Sequence, residues 1–164
     1  MMLGKLFKKK KSDMNIVAPM TGRIMALAEV PDQVFSQKMM GEGIALEPNT
    51  NEVLSPIDGK VVDVFRTKHA ISMIADNGAE VLIHMGLETV ELDGKGFEIH
   101  VTNGQKIGKG DHLATFDIET VAAEGYKIIT PLIILNSNDY EVAHLTSEQH
   151  AEAGQTNLFQ VDKK

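Results

Sequence analysis

From Asn15 onward the chain is a succession of short apolar runs split by Gly, Pro, Asn and Asp. Runs of that length, bounded by turn formers, predict an all-β domain. Asp58-Gly59 and Asn77-Gly78 are hairpin-type turn signals, and Asp93-Gly94, Asn103-Gly104 and Gly110-Asp111 add further turns or loops. One short helix is expected, with Asp117 capping residues 118–124 and Gly125 stopping them. The stretch 139–153 reads equally well as helix or loop.

The chain carries a partial internal repeat. Ala18-Pro19-Met20-Thr21-Gly22-Arg23-Ile24 and Ser55-Pro56-Ile57-Asp58-Gly59-Lys60-Val61 share the pattern small-Pro-x-x-Gly-basic-β-branched. A duplicated turn-and-strand unit suggests two similar β-layers packed face to face. The fold class that follows is all-β, an antiparallel sandwich with a duplicated hairpin unit and at most short helices.

One hairpin carries chemistry. Residues 65–75 and 79–86 flank the turn Asp76-Asn77-Gly78, with His69 on one strand and His84 on the other. A two-residue turn at Asn77-Gly78 sets His84 opposite Ile71. His69 is then its diagonal neighbour on the same face, with Cα atoms about 7–8 Å apart. A turn at Asp76-Asn77 pairs the histidines directly, whereas a one-residue slip would separate them. Met73 and Leu82 share the predicted face, so the rings sit among apolar groups. Burial disfavours imidazolium and leaves a neutral ring whose free lone pair can attack phosphorus. Two histidines are also zinc ligands by type, although catalytic zinc usually takes three protein ligands. The pattern alone leaves phosphoryl carrier and metal site comparable.

Composition narrows the setting. The 164 residues suit one domain with a real core, and 14 glycines against 5 prolines indicate tight turns rather than a disordered chain. There is no cysteine, hence no disulfide framework, zinc-thiolate site or thiol nucleophile. The net charge of −7 argues against nucleic acid as a partner. Charge is uneven: five lysines and no acid lie in residues 1–11, leaving −12 on the rest. Leu3, Leu6 and Phe7 fall at helical spacing among those lysines. The expectation is a basic N-terminal tail over 1–14, either a solubilising extension or a contact to an anionic membrane surface, followed by one domain over 15–164. No secretory h-region and no apolar run of about 20 residues is present, so a cytoplasmic protein is expected, with the tail allowing peripheral attachment at the inner membrane face.

The segment Gly78-Ala79-Glu80-Val81-Leu82-Ile83-His84-Met85-Gly86-Leu87-Glu88-Thr89-Val90 closely resembles the signature of the glucose-family enzyme IIA domain of the bacterial phosphoenolpyruvate-dependent sugar phosphotransferase system. Ala18-Pro19, Val30-Pro31-Asp32, residues 41–45, residues 56–59, Thr67-Lys68-His69-Ala70, residues 94–97 and residues 104–107 also resemble family landmarks. The resemblance implies an antiparallel β-sandwich and a phosphotransferase component that works through phosphohistidine. It implies that His84 is phosphorylated on Nε2, that His69 contacts the phosphoryl group, and that the Thr67 hydroxyl orients the His69 ring. The implied donor is the phosphorylated histidine-containing phosphocarrier protein, and the implied acceptor is a cysteine on an enzyme IIB domain of a sugar permease.

Docking residues follow from the same resemblance. Val34, Phe35, Met39, Met40, Phe65 and Val90 match positions that ring the family's active site, although for Val34 and Phe65 a core role fits nearly as well. Asp32 and Glu88 could pair with basic partner residues, Glu88 standing where the family often has Asp. No cofactor is required; zinc bound by His69 and His84 with a partner's carboxylate is a secondary role. Regulatory binding switched by phosphorylation is a further reading. His100, His112, His144 and His150 match no motif and are expected on the surface or in loops. A biotin- or lipoyl-carrier relative is rejected because the required lysine hairpin turn is missing.

Overall fold

The structure is a computed structural model that describes residues 14–164. Apart from Met14, the basic tail expected over 1–14 lies outside the described residues. Fourteen strands and two short α-helices make up the described chain. In order, β1 is Asn15–Val17, β2 Gly22–Ala26, β3 Glu42–Pro48, β4 Glu52–Leu54, β5 Gly59–Val64, β6 Ala70–Ala75 and β7 Glu80–His84. There follow β8 Phe97–Ile99, β9 Lys106–Ile107, β10 His112–Phe116, β11 Thr130–Ile134, β12 Tyr140–Ala143, β13 His150–Ala151 and β14 Asn157–Lys163. Helix α1 is Gln33–Ser36 and α2 is Ile118–Ala123, and 3-10 turns cover Leu27–Glu29 and Thr89–Leu92.

Every strand pair is antiparallel. An eight-stranded sheet runs β13-β2-β3-β11-β7-β6-β5-β9, and two three-stranded sheets run β1-β14-β12 and β4-β10-β8. The repeat is visible in that order. From the centre outward the large sheet reads β11-β3-β2-β13 one way and β7-β6-β5-β9 the other. The two motif-bearing hairpins, β2-β3 and β5-β6, therefore lie in one sheet, on either side of β11 and β7, rather than in two facing layers, which corrects the expectation from the repeat. The shared glycines begin β2 and β5. A Cβ on Gly22 would come within 2.1 Å of the Glu47 carbonyl oxygen, and one on Gly59 within 2.0 Å of that of Ile74. Only glycine admits such close backbone approach.

The main core lies between the large sheet and the small ones, with Ile71, Met73, Val81, Ile83, Leu132 and Phe159 among its members. The centre of the large sheet is buried on its other face too. Met25, Leu27, Phe35, Leu82, Leu87 and Ile133 form that second cluster, with α1 and the Leu27–Glu29 turn contributing its cover. Burial on both faces explains why β7 and β11 read as continuous apolar runs instead of alternating. Asp117 caps α2 by accepting from the Thr120 amide, and Gly125 ends it at φ +93°, as expected. The segment 139–153 forms β12 and β13, not a helix; Tyr140 is buried, and its hydroxyl donates to the Asn77 carbonyl at 2.6 Å.

Candidate active site

The turn between β6 and β7 has three residues, not two. The Gly78 amide donates to the Ala75 carbonyl at 2.9 Å, the Ala75 amide to the Ala79 carbonyl at 2.8 Å, and Gly78 takes φ +94°. That extra αL residue is a three-residue hairpin loop, and it slips the register by one. His84 therefore lies opposite Ala70 rather than Ile71. Ile71 and Met73 belong to the main core, and only Leu82 shares the second-cluster face, so the predicted apolar surroundings are corrected as well.

Under strict alternation this register would separate the histidines, yet the rings lie 4.9 Å apart between centroids. The reason is local. His69 precedes β6 and belongs to a turn in which the Lys68 amide donates to the Phe65 carbonyl at 2.7 Å and Lys68 takes φ +64°. The turn frees His69 from the pleat. Its backbone carbonyl still accepts from the Met85 amide at 2.8 Å, which holds the two ends together.

Both rings are anchored through Nδ1. His84 Nδ1 donates to the Gly86 carbonyl at 2.7 Å; a carbonyl only accepts, so the proton sits on Nδ1 and the Nε2 lone pair is free. His69 Nδ1 shares a 2.7 Å hydrogen bond with the Thr67 hydroxyl. Where that hydroxyl donates, His69 Nε2 carries a proton to offer. The Phe35 ring packs 5.0 Å from the His84 ring, and the Phe65 ring stands edge-on to His69 at 5.5 Å. Burial, and next the neighbouring His84, push the His69 pKa from 6.5 down to about 4. Burial also lowers that of His84, opposed by the Gly86 carbonyl and by the charge of Asp32. Two neutral rings with oppositely suited Nε2 atoms are equipped for nucleophilic attack and for hydrogen bonding to a transferred oxyanion.

The remaining predicted residues divide by exposure. Val34, Met39, Phe65 and Val90 are exposed, so Val34 and Phe65 are not core residues. Phe35 is 4% exposed and belongs to the second core cluster, with Met40 packed against it. Asp32, Val34, Leu87 and Glu88 line one cleft, Asp32 also capping α1 through the Val34 amide at 2.9 Å. Glu88 is exposed at φ +59°. His100, His112, His144 and His150 are all exposed, with the His100 and His112 rings tilted to one another at 4.4 Å between centroids. Sequence reasoning assigned no role to the Gly86 carbonyl; the His-x-Gly spacing was the available signal.

The family described as phosphoenolpyruvate-dependent sugar phosphotransferase system, EIIA 1, matches residues 14–140. The glucose-specific EIIA component of the phosphotransferase system from Staphylococcus epidermidis is 47% identical over 163 residues, covering 98% of each chain. That of Bacillus cereus is 44% identical over 165 residues, covering 97% of this chain and all of its own. Glucose permease IIA from Mycoplasma capricolum superposes with a TM-score of 0.83 at 36% identity, covering 90% of this chain and 95% of its own. Fold, histidine pair and relatives agree: the chain belongs to the EIIA family of the phosphoenolpyruvate-dependent sugar phosphotransferase system, phosphotransferase components that pass a phosphoryl group from the histidine phosphocarrier protein toward an enzyme IIB.

Proposed function

We propose that His84 Nε2 is the atom that carries the phosphoryl group, within a phosphocarrier unit spanning residues 15–164. The observation that supports this most strongly is the bond from His84 Nδ1 to the Gly86 carbonyl, which leaves the Nε2 lone pair unshared. In the forward step that lone pair attacks phosphorus on the donor's phosphohistidine. The new N–P bond forms as the old one breaks, and its electron pair returns to the donor ring. In the onward step a cysteine thiolate of enzyme IIB attacks the same phosphorus, and the electron pair returns to His84. His69 holds the transferring oxygens through Nε2–H, provided that Thr67 donates its hydroxyl proton to Nδ1. Catalysis is then positioning with charge stabilisation and needs no cofactor.

Val34, Met39, Phe65 and Val90 supply exposed apolar surface for both partners, while Phe35 and Met40 support it from beneath. Adaptable apolar surface suits docking to more than one partner, regulatory targets included. Asp32 and Glu88 add negative charge for a basic partner. The cytoplasm is the compartment where donor and acceptor meet. Among the described residues no helix is long and apolar enough to cross a membrane.

Zinc is a second reading of the same pair, favoured by both Nδ1 atoms being engaged, which leaves both Nε2 atoms as donors. Among the described residues no three His, Cys, Asp or Glu groups are placed to hold a metal, so a partner's carboxylate would complete the site.

The test of the relay is transfer of labelled phosphate to an enzyme IIB from pre-phosphorylated wild type, His69→Ala and Thr67→Val. Both variants should retain the label and pass it on at least about tenfold more slowly. Wild-type onward rates in both would remove His69 and Thr67 from the mechanism.

A further inference from the structure

His84 is the last residue of β7; the sheet fixes its backbone and face but not the orientation of its ring. The ring depends on a carbonyl two residues further on, in a loop. Four polar or charged residues are buried among the described residues, and three of them lie around this loop: His69, Thr89 and Thr130. Burying a hydroxyl is unfavourable unless it is hydrogen-bonded, so what these hydroxyls bind is informative. Thr89 Oγ1 donates to the Met85 carbonyl at 2.6 Å. Thr130 Oγ1 donates to the Ile128 carbonyl at 3.0 Å and accepts, at a longer 3.4 Å, from the Gly86 amide. Both hydroxyls thus grip the one peptide unit, Met85 C=O and Gly86 N–H, that leads into the acceptor of His84. Thr89 also fills the space over Gly86: a Cβ there would come within 2.5 Å of the Thr89 methyl carbon, and Gly86 takes φ +80°.

We propose that Thr89, assisted by Thr130, is a positioning residue for phosphoryl transfer: its hydroxyl holds the Met85–Gly86 peptide so that the Gly86 carbonyl selects the His84 tautomer with a free Nε2. The inference rests on His84 being the phosphoryl acceptor. Neutral imidazole places its proton on whichever nitrogen finds an acceptor. When the Gly86 carbonyl swings away, the tautomer protonated on Nε2 gains population, and that tautomer has no lone pair at the attacking atom. The hydroxyl therefore acts on the nucleophilic fraction of His84 and not only on loop stability.

The test uses Thr89→Val, which keeps the branched shape and deletes the hydroxyl, and Thr89→Ser, which keeps the hydroxyl. Ring nitrogen-15 spectra of the unphosphorylated proteins report the His84 tautomer, and a quenched assay with phosphorylated donor reports the rate. Wild type and Thr89→Ser should show one protonated Nδ1 and one free Nε2. Thr89→Val should show averaged nitrogen shifts and accept phosphate about tenfold more slowly, the scale of losing an outer partner of a functional histidine. A folded Thr89→Val protein with wild-type ring shifts overturns the proposal, whatever its rate. Should Thr89→Val not fold, Thr130→Val probes the same peptide and is judged alike. Failure of both to fold assigns the hydroxyls to stability and also overturns it. Wild type that never takes phosphate on His84 would refute the acceptor assignment instead, and the nitrogen spectra would separate that result from failure of the tautomer argument.

Discussion

At the residue scale the site is an arrangement of protons. His84 keeps its proton on Nδ1 because Gly86 offers only a carbonyl, and His69 resists a second proton because it is buried beside another imidazole. The folded His69 pKa of about 4 lies below the ordinary 6.5. Between those values the unfolded chain binds more protons than the folded one, so stability is full above pH 6.5 and falls as pH drops toward 4. His84, lowered by burial, contributes with the same sign. Thermal melts from pH 7 to pH 4 should therefore decline less steeply for His69→Gln than for wild type. Equal slopes would mean that His69 is not held neutral by burial. Both histidines were legible in the sequence as a pair, whereas Thr67 entered only through the family resemblance. What was not legible was how they meet. Gly78 at φ +94° adds a turn residue that shifts the register, and Lys68 at φ +64° undoes the consequence by turning His69 out of the strand. A lysine does not announce positive φ, and the Asn-Gly pair announces a turn without fixing whether its loop has two residues or three.

At the element scale, α1 is the piece that sequence periodicity missed. Four residues are too few for a helical pattern to register, and its existence depends on tertiary cover of the large sheet. The signal present was Asp32, whose carboxylate accepts from the Val34 amide. The same carboxylate raises the His84 pKa by its charge. These roles separate by substitution. Asp32→Asn keeps an acceptor for the cap and removes the charge, so it should leave the melting temperature nearly unchanged and lower the His84 pKa in an NMR titration. Asp32→Ala should lower that pKa equally and also lose about 1 kcal/mol of stability. An unchanged His84 titration in both variants would show that Asp32 does not reach the ring electrostatically. The other element misjudged, residues 139–153, hides its strand character because β12 alternates poorly and lies at a small sheet's edge.

At the scale of the whole molecule, the duplication organises what the strands do. The two four-stranded halves meet at β11 and β7, among the described residues the only strands flanked by partners from both halves, and His84 ends β7. The paired Pro-x-x-Gly motifs made a repeat readable, but membership of one sheet depends on long-range pairing that no local motif encodes. The second core cluster then covers the central strands and gives His84 the aromatic wall of Phe35, while exposed Val34, Phe65 and Val90 leave apolar surface for partners. The central claim of this arrangement is that one nitrogen, on His84, holds the phosphoryl group. Intact-mass measurement after incubation with phosphoenolpyruvate, enzyme I and the histidine phosphocarrier protein tests it most directly, on wild type, His84→Ala and His69→Ala. One acid-labile phosphate is expected on wild type and on His69→Ala, and none on His84→Ala. Phosphate retained by His84→Ala, or none taken by wild type with competent donors, would contradict it.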